Sequence, residues 1–164
     1  MTSNPKGKNM LGLAIEIAVE AHKGQEDKGG LPYILHPLHL MKQLMFDIEL
    51  AIIAVLHDVV EDSEWTIEQL RDEGFSERVV SALALLTHNP DDSYDAYIEK
   101  IATSLDAVLV KRKDLEHNTD ITRLKGLRPK DLKRMAKYHR AFIRLGEAKL
   151  TILSSENAGG LGDG

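Results

Sequence analysis

The feature that most constrains this chain is the run from Ile48 to Asp62, IELAIIAVLHDVVED, in which Ile52, Ile53, Val55 and Leu56 are apolar on nearly every side of a helix. A helix that is apolar all round has no face to give to water, so it must lie centrally with other elements packed about it. It ends in a polar cluster, His57, Asp58, Glu61 and Asp62. At helical spacing His57 falls over Glu61 and Asp58 over Asp62. Three carboxylates and an imidazole beside an apolar run are costly to desolvate unless something positive lies among them. A frayed helix end in solvent, with Asp62 as a cap, is the plain alternative. The flanking Val55, Leu56, Val59 and Val60 favour a half-buried polar site.

Helical periodicity dominates elsewhere. Leu11, Ile15 and Ala18 recur at helical spacing between Met10 and Ala21. The stretch from Gly24 to Pro37 holds Gly29, Gly30 and Pro32 and reads as a long loop, of the kind that is often functional. Pro37 suits the first turn of the helix that follows. Thr66 with Gln69 forms a capping-box pattern, for a short helix ending near Gly74. Ser76 caps the next, to about Thr87, and Asn89-Pro90 breaks the chain. Helices near 93–103 and 105–118 follow, and Pro129 opens a last one to about Leu150. No period-2 strand pattern appears. The expected fold class is all-α, with a flexible N-terminus over 1–9, one domain over 10–150 and a disordered tail over 151–164.

Composition removes several function classes. No cysteine is present among the 164 residues, which excludes disulfides, thiolate metal sites and cysteine nucleophiles. No apolar run reaches the roughly 18 residues of a membrane span, and the polar start does not read as a signal peptide, so a cytoplasmic protein with no membrane partner is expected. The net charge of −5 argues against nucleic acid as a general partner. The cations are nevertheless concentrated between Arg123 and Lys149, where only Asp131 and Glu147 oppose them. Such a stretch reads as a solvated helix face or as a collar for an anionic ligand.

Two further groups join the His57-Asp58 pair as candidate ligands. His36 sits in Leu35-His36-Pro37, where proline fixes the backbone after a glycine-rich loop, and Asp114 lies in Lys111–Asn118, KRKDLEHN. Two imidazoles and two carboxylates form a mixed nitrogen and oxygen set that suits manganese, iron or zinc better than calcium. His117 is a candidate to orient a ligand.

These segments resemble the HD superfamily, and within it the hydrolase domains of RelA/SpoT-type alarmone enzymes. The resemblance rests on Ala21-His22-Lys23-Gly24-Gln25, on Pro32-Tyr33-Ile34-Leu35-His36-Pro37, on His57-Asp58-Val59-Val60-Glu61-Asp62, and on Lys111–Asp114 with His117-Asn118 behind it, in the family's order over roughly residues 10–145. It implies an HD-domain helical bundle with one divalent metal ion, usually manganese, on His36, His57, Asp58 and Asp114. It also implies a catalytic role for Glu61 and Asp62, and Asn118 and Tyr138 near the nucleotide. Lys28 and Lys111 are candidate cations for the phosphates. The implied reaction removes the 3′-pyrophosphate from guanosine tetra- or pentaphosphate. With no room for a synthetase domain, the likeness is to stand-alone small alarmone hydrolases, with the oligomeric state open.

The chain departs from the family pattern in two places. Asp27-Lys28 stands where an arginine-lysine pair commonly packs on guanine, and Arg112 and Lys113 precede Asp114 where small or apolar residues are usual. On a helix Arg112 points about 200° away from Asp114 and is expected to face solvent, whereas Lys113 stays close to the site. These departures keep two alternatives open. One is an HD phosphohydrolase for another nucleotide, such as an adenosine alarmone or a nucleoside monophosphate. The other is a non-catalytic nucleotide sensor or interaction module.

Overall fold

The computed structural model describes residues 5–159, and among these the architecture is a bundle of α-helices with no strand beyond an isolated bridge between Glu26 and Pro32. In chain order the helices are α1 (Pro5–Ala21), α2 (Leu35–Gln43), α3 (Ile48–Leu56), α4 (Val59–Asp62), α5 (Ile67–Asp72), α6 (Glu77–Leu86), α7 (Tyr94–Ile101), α8 (Leu105–Asn118) and α9 (Pro129–Gly159). A 3₁₀ turn over Ile121–Arg123 joins the last two.

The apolar run takes the central place its composition requires. Every residue of α3 from Leu50 to Leu56 is buried, and the helix packs chiefly on α1 and α2, with α6 and α8 closing the remaining sides. Each large aliphatic side chain removed from water there contributes roughly 1.5–3 kcal/mol. Helix starts are set by short polar side chains. Asp47 accepts from the Glu49 and Leu50 amides, Ser76 from Val79, Ser93 from Ala96 and Ser104 from Ala107. The Thr66–Gln69 capping box forms in both directions. Arg78 reaches Asp47, Glu49 and Asp106, tying together the beginnings of α3, α6 and α8.

The structure departs from the sequence expectation in two respects. The single helix expected over 48–62 is two, because the chain leaves the regular path at His57 and Asp58, the latter at φ −104°, ψ −3°. The His57 ring nitrogen Nδ1 takes the Ala54 carbonyl at 2.8 Å, the acceptor that the Asp58 amide would use in an unbroken helix. One turn survives beyond the break, where the Asp62 amide donates to the Asp58 carbonyl. The chain ends were also expected to be irregular, but α1 begins at Pro5 and α9 continues past Leu150 to Gly159. No proline interrupts α9 after Pro129. Residues 1–4 and 160–164 of the expected flexible ends lie outside the described residues. No described helix is long and apolar enough to cross a membrane.

Candidate metal centre and adjoining pocket

His36, His57 and Asp114 come together from α2, the end of α3 and α8, with one ligand atom of each within 4.8 Å of the others, and all three are buried. His36 Nε2 lies 3.0 Å from Asp114 Oδ1, and His57 Nε2 lies 3.6 Å from the same oxygen and 2.9 Å from Asp58 Oδ2. The fourth expected ligand, Asp58, thus adjoins the group. Its Oδ2 also accepts a short hydrogen bond from the Tyr33 hydroxyl.

The tautomers follow from the partners. A carbonyl only accepts, so Nδ1 of His57 must carry the proton it shares with Ala54, leaving a lone pair on Nε2. That atom is buried without a hydrogen-bond partner. Burial alone would lower the His57 pKa, but the charges of Asp58 and Asp114 outweigh it and hold it well above the ordinary value. The cluster therefore favours positive charge at Nε2, which a proton or a divalent cation would satisfy equally. Asp58 behaves reciprocally. Burial pushes its carboxyl up, yet the His57 charge and hydrogen bond bring it down to about 2. On donor type, burial and an orphaned lone pair, these residues fit a metal ion.

A further set of side chains holds these groups. His36 Nδ1 lies 2.6 Å from His117 Nδ1, and the rings are stacked. Burial first, and then the Arg123 cation, hold the His117 pKa down at about 4, so near pH 7 it is neutral and accepts from His36. This leaves His36 Nε2 facing Asp114. Asp114 is braced in turn by Lys111 Nζ at 2.8 Å on Oδ2 and by Asn118 Nδ2 at 2.6 Å on Oδ1. Burial would raise its carboxyl, but Lys111 and the histidines keep it well below the usual range.

Glu61 and Asp62 stand on α4, one turn beyond Asp58. Glu61 accepts from the His88 amide, and the Asp62 carbonyl accepts from Gln25 Nε2 at 3.0 Å. Both carboxyls are raised, first by burial and then by neighbouring carboxylates, Asp58 in each case. Beside the cluster opens a cavity of about 280 Å³ whose walls include His36, Tyr33, Lys28, Asn118, Arg134 and Tyr138.

No family model matches the chain. Among curated proteins it is 36% identical over 134 residues to a Haemophilus influenzae protein named guanosine-3′,5′-bis(diphosphate) 3′-pyrophosphohydrolase, covering 74% of this chain and 20% of that one. It is 31% identical over 140 residues to the Escherichia coli bifunctional (p)ppGpp synthase/hydrolase SpoT, covering 77% of this chain and 20% of the relative. The chain therefore spans about one fifth of the length of these relatives. A solved structure, described as a metazoan ortholog of SpoT that hydrolyzes ppGpp, superposes with a TM-score of 0.69 at 20% identity, over 90% of this chain and 95% of that one, and shares the fold. Over about three quarters of its length the chain is thus similar to RelA/SpoT-type (p)ppGpp hydrolases.

The departures from the RelA/SpoT-type pattern have structural explanations. Asp27 spends both oxygens inside the protein: Oδ1 accepts from the Gly29 and Leu31 amides, and Oδ2 pairs with Arg123 at 3.0 Å. It clips the loop shut and has no free edge for a base. Gly29 is required at this closure, since a Cβ there would stand 2.7 Å from the Arg123 carbonyl oxygen. Arg112 does not face solvent as expected. It is half-buried against α9, donating to the Phe142 carbonyl at 2.6 Å with its guanidinium 3.8 Å from the Phe142 ring centre. Lys113 turns from the site to Glu116 at 2.8 Å. Lys111 is likewise not on the cavity wall where a phosphate contact was expected; its ammonium is committed to Asp114. Sequence reasoning passed over Tyr33, which lies inside the quoted PYILHP motif, and did not single out Arg134 from the basic stretch that contains it.

Proposed function

We propose that this chain is a divalent-metal-dependent phosphohydrolase that removes the 3′-pyrophosphate from guanosine tetra- or pentaphosphate. The observation that carries the reading is the buried His57 Nε2, without a hydrogen-bond partner, gathered with His36 and Asp114 and facing the Asp58 carboxylate. His36, His57, Asp58 and Asp114 would hold the ion. Manganese is favoured by the family, with iron or zinc compatible with the same donors. Such an ion, when bound, activates water towards phosphorus and offsets developing negative charge.

The chain's own groups supply the rest. Glu61 and Asp62, with raised carboxyls, orient water and move protons between it and the departing oxygen. Lys111 and Asn118 fix Asp114, and His117 fixes His36, so the ligands are positioned before substrate arrives. Lys28 and Tyr138, on the cavity wall with Asn118, would contact the nucleotide.

One observation favours a second reading of the substrate. Asp27 replaces the family arginine and is consumed by the loop clip, so base selection would be looser than in the family, and other 3′-phosphorylated nucleotides become candidates. The test is pyrophosphate release from guanosine tetraphosphate by metal-stripped protein, with and without added manganese, beside a His57→Ala, Asp58→Ala double variant. Manganese-dependent release lost in the variant is expected. Metal binding without release, there and across a panel of phosphorylated nucleotides, would leave a non-catalytic binding module.

A further inference from the structure

Next to the cavity at the metal cluster lies a second and larger concavity of about 600 Å³, and every residue that lines it is a cation: Lys28, Arg128, Lys130, Lys133, Arg134 and Lys137. The spacing explains how α9 contributes four of them. Positions 130, 133, 134 and 137 fall on one helical face, while Lys28 comes from the loop across and Arg128 from the residue before the helix. Lys28 and Arg134 also line the 280 Å³ cavity that His36 borders, so the two spaces share a wall.

These cations are not spent as cations elsewhere are. Arg71, Arg78, Lys100 and Arg144 all hold carboxylates. In the groove the acidic counterpart is Asp131, buried beneath Arg128 and Arg134 at 3.0 and 3.1 Å. Lys137 lies over the Tyr94 ring at 4.5 Å. Among the described residues Lys28, Lys130 and Lys133 form no ion pair. Burial, and then Arg134, hold the Lys28 pKa below its ordinary value, with Lys130 and Lys137 adding to the effect and Asp131 opposing it. Like charges crowd one open, shallow face beside the cavity, an arrangement that costs free energy until an anion enters. No aromatic residue lines it for a base to stack on, and its charged tips suit phosphate.

We infer that this groove receives the second phosphate chain of the substrate, the one carried at the 5′ end away from the pyrophosphate being removed, and that Lys130 and Lys133 make the enzyme sensitive to the length of that chain. The inference rests on the nucleotide reading above and adds a specificity determinant to it. Each further 5′-phosphate brings more charge onto this face, so the effect falls on KM rather than kcat and weakens with added salt.

The test compares kcat and KM for guanosine 3′-pyrophosphates with one, two and three 5′-phosphates, in the unaltered protein and in a Lys130→Gln, Lys133→Gln variant. Titration with inorganic triphosphate serves as a readout independent of turnover. The expected result is a KM that falls with each 5′-phosphate, a preference that collapses by about tenfold in the variant, and a matching loss of triphosphate affinity. Equal KM for the three substrates, or a variant that keeps the unaltered preference and triphosphate affinity, would overturn the inference. Absence of release from all three substrates would defeat the hydrolase reading instead, and the triphosphate titration alone would then decide the groove.

Discussion

α3 and α8 both bring residues to the candidate metal centre and both lie inside the bundle, yet they are buried by opposite means. α3 carries no charge between Leu50 and Leu56 and is held by aliphatic packing on every side. α8 takes Asp114 inside with Lys111 and Asn118 bonded to it, while Arg112 on another face is held by Phe142 of α9. The site thus joins a candidate ligand at the end of a rigid apolar element to one embedded in an internal polar network. The first is held in place by packing. The second depends on every member staying in place, because a buried charge without its partner is expensive.

Breaking the polar side should have the largest effect. Asp114→Leu is expected to abolish metal-dependent turnover and to destabilise the fold by about 3–5 kcal/mol, since Lys111 is left buried without a counter-charge. Adding Lys111→Met should return most of the stability, measured by urea unfolding, and none of the activity. A single variant as stable as the unaltered protein would mean that the pair is not buried as described. Glu61→Gln should lower turnover by about 10²–10⁴-fold, in the range of a lost acid–base group, with metal binding retained. Its stability effect has a defined sign. The raised Glu61 carboxyl holds its proton more tightly when folded, so this group's contribution is greatest at low pH and declines as pH rises through the raised value. The glutamine variant should therefore gain more Tm relative to the parent at pH 7.5 than at pH 4, and a pH-independent difference would contradict that.

The apolar side breaks differently. Leu56→Ala should cost about 2–5 kcal/mol in chemical unfolding while the folded fraction still binds metal, because the loss is one of packing. Arg112→Ala sharpens the contrast at lower cost. It removes the hydrogen bond to Phe142 and the contact with its ring, for about 1–2 kcal/mol, without touching the cluster. Gly146→Ala reports on the same contact, since a Cβ there would meet Arg112 Nη1 at 2.5 Å. Smallest of all, Arg71→Ala removes exposed pairs with Glu68 and Glu77 and should leave the unfolding midpoint nearly unchanged.

The same contrast explains what could be read from the sequence. The central place of α3 follows from its apolar run, and the caps at Ser76 and Thr66 are local signals that need nothing from the rest of the fold. The gathering of His36, His57 and Asp114 was legible because their motifs are short and ordered along the chain. What escaped is decided between distant segments or by a single side chain. The break at His57 depends on which donor reaches the Ala54 carbonyl, and periodicity carries no trace of that competition. Arg112 looks like a surface residue until α9 supplies Phe142 and the open space at Gly146. The inward turn of Lys111 and the clip between Asp27 and Arg123 likewise require a partner that no local pattern names.

We propose that His36, His57, Asp58 and Asp114 bind one divalent ion. Manganese titration of metal-stripped protein, followed by electron paramagnetic resonance with an Asp114→Asn variant in parallel, tests it most directly. One ion bound per chain, with affinity lost in a variant that keeps its helical circular dichroism, is the predicted result. No binding by the unaltered protein, or undiminished binding by the folded variant, would contradict it.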